Sequence, residues 1–476
     1  LKLASFKLET LIKMEPLTVR EIIQATAGRL VEGYGVERVV HSISTDSRTI
    51  KSGELFVPVV GEKHDGHDFI KDALDKGAVG AILANDKEAP SGYPDRVFVK
   101  VADTTRALGD IAAAYRYRFG ITVVGVTGSN GKTTTKEMIA SSLSTRFKVH
   151  KSLGNLNTEV GLPLSVLKLD SSHQVSVVEM GMNRRGDIGW LSRIARPAIG
   201  VITNIGEAHI GYLGSRRNIA LAKWELADSL PPEGVLILNA DDPYLWALRE
   251  KARCRVITYG VKNPKADIRS APPDEEGGGI HFTLTDRSLQ AWIPIAGCYN
   301  IYNALPAVAV GRFLGLDPDS MKRGLESFRP VAKRMEVSEV CGILIVNDSY
   351  NANPTSVKES LRWLASSRRS RKVALLGDML ELGRLSARYH RQIGKAAAAV
   401  GLDILVAVGK YAHYVKKGAV EGGIGDDRVY TLTHKSRLAG WLAGMLKEGD
   451  VLLVKGSRGM EMESVIWELT KEMKGK

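Results

Sequence analysis

The chain has 476 residues, 44% of them hydrophobic and 25% charged, with a formal net charge of +13. That composition excludes a disordered or fibrous chain, and the length points to about three domains rather than one core. Apolar runs such as "ITVVGV" and "VALLGDML" fall far short of the ~20 residues of a membrane span. Cys254, Cys298 and Cys341 lie far apart with no CxxC pair, which argues against a disulfide framework or a zinc site and for a reducing cytoplasm.

Met14 reads as a native start. The "LKLASFKLETLIK" before it, an appended segment or an alternative start, lacks the apolar region and cleavage site of a secretory signal. From 14 to 104 short strands alternate with helices: the helix "TVREIIQATA", the strand "ELFVPVV", the helix "DFIKDALDKG" and the strands "AVGAILA" and "RVFVKV". "HDGHDF" within this stretch reads as a loop turning into a helix, not as a metal cluster. "DTTRALGDIAAAYRYRF" has apolar residues at helical spacing and opens a second domain over 105–330.

There the pattern becomes strand, glycine loop, helix: "ITVVGV", "TGSNGK", "TTTKEMIASSLSTRF". Near-continuous apolar runs follow, "VSVVEM", "AIGVITNI" and "GVLILNA", as buried parallel strands require. "APPDEEGGG" at 271–279 is a loop by composition, and "IHFTLT" and "LQAWIPI" beyond it form an antiparallel pair. A last boundary falls near 330. In 331–476 the strands "GILIVNDSY", "KVALLGDM", "LDILVAVG" and "DVLLVKGS" each end in a polar or glycine cluster, the pattern of a Rossmann-like sheet that binds ligands at its carboxyl ends. The fold class is therefore α/β in three domains: small α/β, central parallel sheet with a phosphate loop, and C-terminal Rossmann-like.

The glycine loop departs from G-x-x-x-x-G-K-[ST], because Val126 stands where the first glycine belongs and Gly128 comes two residues later. Its chemistry is nevertheless that of a phosphate cradle. Backbone N–H groups point into a turn that opens a helix, whose N-terminus adds partial positive charge. Gly128 and Gly131 permit close backbone approach, Lys132 would reach the β/γ-phosphates, and the Thr133 hydroxyl would ligate Mg²⁺. Glu179, ending the apolar strand "VSVVEM", is a carboxylate that could hold Mg²⁺ or simply cap a strand end. The net charge invites a nucleic-acid reading, but the densest basic run, "SSRRSRK", has no aromatic for stacking and reads as a solvated face. A protein handling polyanionic small molecules accounts for the charge equally well.

"TGSNGKTTT" resembles the T-G-x-N-G-K-T-T loop of the Mur ligase superfamily, ATP-dependent amide-forming enzymes of peptidoglycan precursor synthesis; folylpolyglutamate synthases share it. The likeness continues through "STDSRTIKSGELFVPVVGEKHDGHDFI", "GNLNTEVGLP", "VVEMGMNRRGDI", "ITNIGEAHIGYLGS", "ALAKWELA" and "AGCYNIYNALPA". "NDSYNANPTS", "LGDMLELG" and "KGSRGMEME" resemble the branch of the family that adds D-alanyl-D-alanine. The branch adding the third amino acid has D-N-P-R and K-G-H-E blocks that are absent here.

The resemblance implies an N-terminal UDP-substrate domain, a central ATPase domain and a C-terminal ligase domain that close together. It implies a reaction in which ATP, with two Mg²⁺ ions, converts the carboxylate of a UDP-N-acetylmuramoyl tripeptide into an acyl phosphate that the amine of D-alanyl-D-alanine captures. Such a site needs cations and oriented donors more than a nucleophile.

By resemblance, Thr127, Gly128, Ser129, Asn130, Gly131, Lys132, Thr133 and Thr134 cradle ATP, Asn300 and Asn303 approach its adenine end, and Arg334 and Asp348 meet the nucleotide on closure. Tyr299 stands where the family commonly has histidine. His209 is placed at a second Mg²⁺, and Lys223 is the lysine that reacts with CO₂ to give a carbamate able to help bind that ion. Ser47, Arg48, Asp65 and His67 are assigned to the uridine-diphosphate end. Asn155, Asn157, Thr158, Tyr350, Asn351 and Asn353 are assigned to substrate, and Lys455 and Arg458 to the dipeptide carboxylate. The enzyme is expected to be a cytoplasmic monomer that needs neither nucleic acid nor membrane. The third residue of its tripeptide stays open between lysine and diaminopimelate.

Overall fold

The computed structural model describes residues 14–31, 35–61, 64–435 and 438–474, so "LKLASFKLETLIK" lies outside the described residues. It forms two compact units, Leu1–Gly125 with Phe147–Met182 and Asp187–Ala198, and Val126–Arg146 with Asn183–Gly186 and Ile199–Lys476. Both are α/β.

In the first unit a sheet runs in the order Arg29–Leu30, Val97–Val101, Gly80–Ala84, Glu54–Phe56, Ser42–Ser44, parallel except at its Arg29–Leu30 edge. Leu17–Thr18 pairs separately with Val39–Val40. The helix Val19–Thr26 begins where the sequence says it must: Thr18 and Glu21 form a reciprocal capping box that satisfies two orphan N–H groups. Ile50, Phe56, Ile70, Leu74, Leu83 and Phe98 fill a core on one sheet face.

Farther along this unit the helix Thr104–Tyr117 buries Tyr115, whose hydroxyl donates to Leu169 O at 2.5 Å. Arg116 is buried without a carboxylate and instead donates to the carbonyls of Ala195, Phe119 and Ile121. Val149–Lys151 and Val175–Glu179 pair in parallel. On the former, His150 is buried between Ser176 Oγ at 2.8 Å and Ser165 O at 3.0 Å. Burial, and then the neighbouring His173, push its imidazole down to about 4.

In the second unit Ile199–Ile202, Val235–Asn239, Arg255–Gly260 and Ile268–Arg269 lie side by side in parallel. Thr203, just past the first of these strands, donates its N–H to Thr127 O at 3.0 Å, beside the glycine loop. The helix Lys132–Leu143 that follows the loop packs on Ile301–Phe313. The 271–279 region differs from the loop that composition implies. Asp274–Glu276 is a strand that pairs antiparallel with Gly279–Thr283, which in turn pairs with Gln290–Ile293. Gly277 and Gly278, at φ of 62° and 76°, make the two-residue turn that a right-twisted hairpin favours. Composition misses the strand because all three of its residues are acidic and exposed.

Beyond residue 333 a six-stranded sheet runs in the order Glu336–Val340, Ile343–Asp348, Asp450–Lys455, Arg371–Gly377, Ile404–Val408, Val429–Leu432. Only the first pair is antiparallel. Its central strands are apolar runs buried end to end, as a sheet covered on both faces demands. The run "SSRRSRK" has no buried residue, and three of its cations have partners. Arg369 pairs with Glu339 at 2.8 Å, Arg371 grips Asp450 with two N–H groups, and Lys372 donates to Ala365 O.

Candidate functional site

Val126, the residue that breaks the familiar loop spacing, is fully buried in the strand Thr122–Thr127, so the turn opens two residues later. Gly128 has φ of 149° and Gly131 has φ of 80°. A Cβ on Gly128 would lie 1.8 Å from Thr203 Oγ1, and one on Gly131 would lie 2.1 Å from Asn303 Oδ1. Both positions therefore require glycine for space as well as for backbone angle.

The next loop, 203–209, clamps the turn between them. Thr203 Oγ1 and Asn204 Nδ2 donate to Asn130 O at 2.6 and 3.1 Å, Asn204 Oδ1 accepts from Asn130 N at 3.0 Å, and Asn204 O accepts from Ser129 N at 2.9 Å. Lys132 opens the helix Lys132–Leu143 and donates to Gly128 O at 3.0 Å. Thr133 and Thr134 are buried in that helix's first turn.

Asn300 and Asn303 stand one turn apart, as their spacing implies, and both are buried. Asn303 donates to Asn300 Oδ1 at 2.7 Å and accepts from Thr135 Oγ1 at 3.2 Å, so its side chain lies against the foot of the phosphate loop. Asn300 does not cap the following helix; its amide donates to Ala296 O.

Residues beyond 333 reach the same loop. Arg334 donates to Thr133 Oγ1 at 2.9 Å while its guanidinium stacks 3.9 Å from the Tyr350 ring. Asn353 caps the helix Pro354–Ser366 and donates to Asn130 Oδ1 at 2.6 Å. Thr355 donates to Glu207, which also pairs with Arg216. His209, at a left-handed φ of 63°, faces Glu381, itself at 62°, with Nδ1 2.8 Å from Oε2 in an ion-pair contact rather than an aligned hydrogen bond. The imidazole beside it is the main cause that holds the Glu381 carboxyl below its usual range.

Lys223, on the helix Arg216–Asp228, is 1% exposed. Burial, and then the like charge of Lys132, hold its ammonium well below the ordinary lysine range. Lys455 is also buried, but it is paired: Asp348 Oδ2 lies at 2.5 Å and Asn351 O at 3.1 Å. The other contacts of Asp348 come from Ser360 Oγ at 2.7 Å and Met335 N at 3.3 Å. Arg458 pairs with Glu463, which also takes Lys333 at 2.8 Å. The two cations expected at a dipeptide carboxylate are thus held by acidic neighbours.

In the first unit, Asn157 donates to Glu179 Oε1 at 2.7 Å, and Glu179 is 2% exposed, so the strand-end carboxylate is a buried group with an assigned neighbour. Asn155 O accepts from Asn157 N, and Thr158 Oγ1 accepts from Gly161 N. Asp65 and His67 form a closed chain: Ala84 N donates to His67 Nε2, His67 Nδ1 lies 2.6 Å from Asp65 Oδ1, and Lys87 sits 2.8 Å from Asp65 Oδ2. Lys87 is the first cause that holds the Asp65 carboxyl far below its normal range. Ser47 is buried, while Arg48 is exposed and pairs with Asp46 at 2.7 Å.

Sequence reasoning singled out His209 from "ITNIGEAHI" and passed over Thr203, Asn204 and Glu207, although a polar pair directly after a buried strand is a legible signal. Glu381 carries no such signal, because its partner His209 is remote in sequence.

Three family models match the chain: "Mur ligase family, catalytic domain" over 39–116, "Mur ligase middle domain" over 126–311 and "Mur ligase, glutamate ligase domain" over 333–458. The chain is 38% identical to the UDP-N-acetylmuramoyl-tripeptide–D-alanyl-D-alanine ligase of Bacillus subtilis, across 95% of this chain and 98% of that protein. Among solved structures it is similar to MurF from Acinetobacter baumannii, with a TM-score of 0.89, 31% identity, and 96% and 99% of the two chains covered. It is also similar to the Thermotoga maritima MurF ligase in complex with ADP, with a TM-score of 0.80, 30% identity, and 91% and 98% covered.

Proposed function

The chain belongs to the Mur ligase family, and from that premise we propose that it joins D-alanyl-D-alanine to a UDP-N-acetylmuramoyl tripeptide, consuming ATP in peptidoglycan precursor synthesis. The observation that carries the reading is the near-complete, mutual coverage with dipeptide-adding relatives, which leaves no module of theirs without a counterpart here. The local geometry agrees in kind: a clamped glycine turn, a lysine at the helix start, and an arginine 2.9 Å from the hydroxyl of Thr133. The proposed domains are 14–104 for the UDP-substrate, 105–330 for ATP and 331–476 for ligation. The proposed protein is a monomer acting in the cytoplasm, where ATP is made. Among the described residues no helix is long and apolar enough to cross a membrane.

In the reaction a tripeptide carboxylate oxygen bonds to the γ-phosphorus as the bond to ADP breaks. The dipeptide ammonium gives up one proton to the medium, its nitrogen bonds to the acyl carbon as phosphate leaves, and a second proton is lost to leave the amide N–H. Lys132 and Arg334 offset the phosphate charge, and the loop N–H groups other than those of Ser129 and Asn130, which Asn204 takes, orient the tail. Asn303 keeps the loop's φ-positive turn in place from below, and Asp348 with Lys455 fixes the strand ends above which the nucleotide sugar is read. Ser47, Arg48, Asp65 and His67 are proposed for the uridine-diphosphate end. Asn155, Asn157, Thr158, Tyr350, Asn351, Asn353 and Arg458 are proposed for the remainder of the substrates.

Magnesium is implied by the family, and the donor chemistry fits it residue by residue. Thr133 and Glu179 are buried oxygen donors, 4% and 2% exposed, of the type a hard cation takes. His209 presents Nδ1 to Glu381, which leaves Nε2 as its outward atom. Burial, and then Lys132, disfavour the ammonium of Lys223 and so favour the neutral amine, the form that adds CO₂; as a carbamate it would become an oxygen donor in place of a costly buried cation. When bound, magnesium supplies charge neutralisation for the transferring phosphoryl group.

A phosphate-release assay across UDP-muramoyl peptides and amines, with mass-spectrometric identification of the product, tests the assignment. Release is expected only when tripeptide nucleotide and dipeptide are both present. Turnover with a single amino acid on the dipeptide nucleotide instead would overturn it.

A further inference from the structure

Asp242 is 7% exposed and ends the segment "NADD" that follows the strand Val235–Asn239. Its two oxygens do different work. Oδ1 accepts from Tyr244 N at 2.9 Å and Leu245 N at 3.1 Å, capping the short helix Pro243–Leu248. Oδ2 turns the other way and accepts from Ile205 N at 2.7 Å. The same strand sends Asn239 Nδ2 to Thr203 O at 3.2 Å, and Tyr259 OH reaches that carbonyl at 3.2 Å. Segment 203–205 is thus held at both ends, while its side chains clamp the N–H and the C=O of Asn130.

A cap needs only one acceptor, and a serine or threonine would provide it. A buried carboxylate in that place costs desolvation, which shows in a carboxyl pushed above its usual range, chiefly by burial. The second oxygen is what the carboxylate adds over a hydroxyl.

We propose that Asp242 is a positioning residue for nucleotide: by holding Ile205 it fixes the register of 203–205, and through Thr203 and Asn204 it fixes the Asn130 backbone and with it the direction in which the Gly131 and Lys132 N–H groups that follow point. The inference rests on the reading of the glycine loop as the ATP site. It adds a residue that touches neither nucleotide nor loop but decides whether the loop is preorganised.

Two variants separate cap from brace. Asp242→Ser keeps a capping oxygen and cannot reach Ile205. Asp242→Thr likewise keeps one capping oxygen and cannot reach Ile205. Titration calorimetry with ATP and magnesium, and separately with the tripeptide nucleotide, is read well below each variant's Tm. The expected result is an ATP affinity weakened about tenfold or more in Asp242→Ser, with unchanged affinity for the tripeptide nucleotide. In turnover the KM for ATP rises while that for the tripeptide nucleotide holds.

Wild-type ATP affinity in a folded Asp242→Ser overturns the proposal. If that variant does not fold, Asp242→Thr decides in the same way. Equal weakening toward both ligands also overturns it, because it marks a purely structural role. Wild-type protein that binds no ATP overturns the reading of the loop itself, and is distinguished by the wild-type titration alone.

Discussion

Gly131 is the residue on which the nucleotide loop most visibly turns. Its φ of 80° costs an L-residue about 1–2 kcal/mol, and a methyl group there would overlap Asn303 Oδ1 at 2.1 Å. Gly131→Ala is expected to lower ATP affinity by at least tenfold in calorimetry while leaving binding of the tripeptide nucleotide unchanged. Lys223 makes the opposite argument, from chemistry rather than space. It is a buried lysine whose ammonium is disfavoured by burial. Lys223→Ala is expected to abolish phosphate release, and Lys223→Glu to retain a trace; full activity in the alanine variant refutes the carbamate role. The glycine, lysine and threonine of the loop were legible as residues because turn angles and charge are local properties. Asn303 was legible as a site residue, but its partner Thr135, 168 positions away, was not.

At the scale of elements, the buried strands announced themselves as continuous apolar runs, since a strand covered on both faces has no polar side to display. The acidic strand Asp274–Glu276 did not, because an exposed edge strand can carry any polar residue. Within Val149–Lys151, His150 ties element stability to pH. Its folded pKa of about 4 lies below the unfolded value near 6.5, so above pH 6.5 both states are neutral and nothing changes. Between 6.5 and 4 the unfolded chain takes up a proton that the folded strand refuses, and stability falls by up to about 1.4 kcal/mol per pH unit. Urea unfolding between pH 7 and 4 is expected to show this slope in wild type and a shallower one in His150→Gln. Equal slopes would assign the loss to other groups.

At the scale of the whole molecule, the second unit joins chemistry from positions far apart. Arg334 meets Thr133 across 201 residues and Asn353 meets Asn130 across 223. If these contacts belong to the working state, Arg334→Ala and Asn353→Ala should each reduce kcat by one to three orders of magnitude, with little change in affinity for the tripeptide nucleotide. Steady-state kinetics with each substrate varied in turn separates the two effects, and an unchanged kcat would show the contacts to be incidental. Two arginines of the basic run, Arg369 and Arg371, are paired with Glu339 and Asp450, so phosphate release is expected to be indifferent to added DNA or RNA.

The chain by itself determined its α/β class, the place of the phosphate loop and the displaced glycine, because hydrophobic period, turn angle and helix capping are decided within a few neighbouring residues. It also carried enough motif blocks to mark the family. Only the tertiary structure decided that Lys455 and Arg458 are paired with Asp348 and Glu463, that Glu381 stands beside His209, and that Asp242 supports the loop that grips Asn130. All of those pairings but Arg458 with Glu463 are made by packing across long sequence separations, where a carboxylate's identity says what it could bind and only its position says what it does.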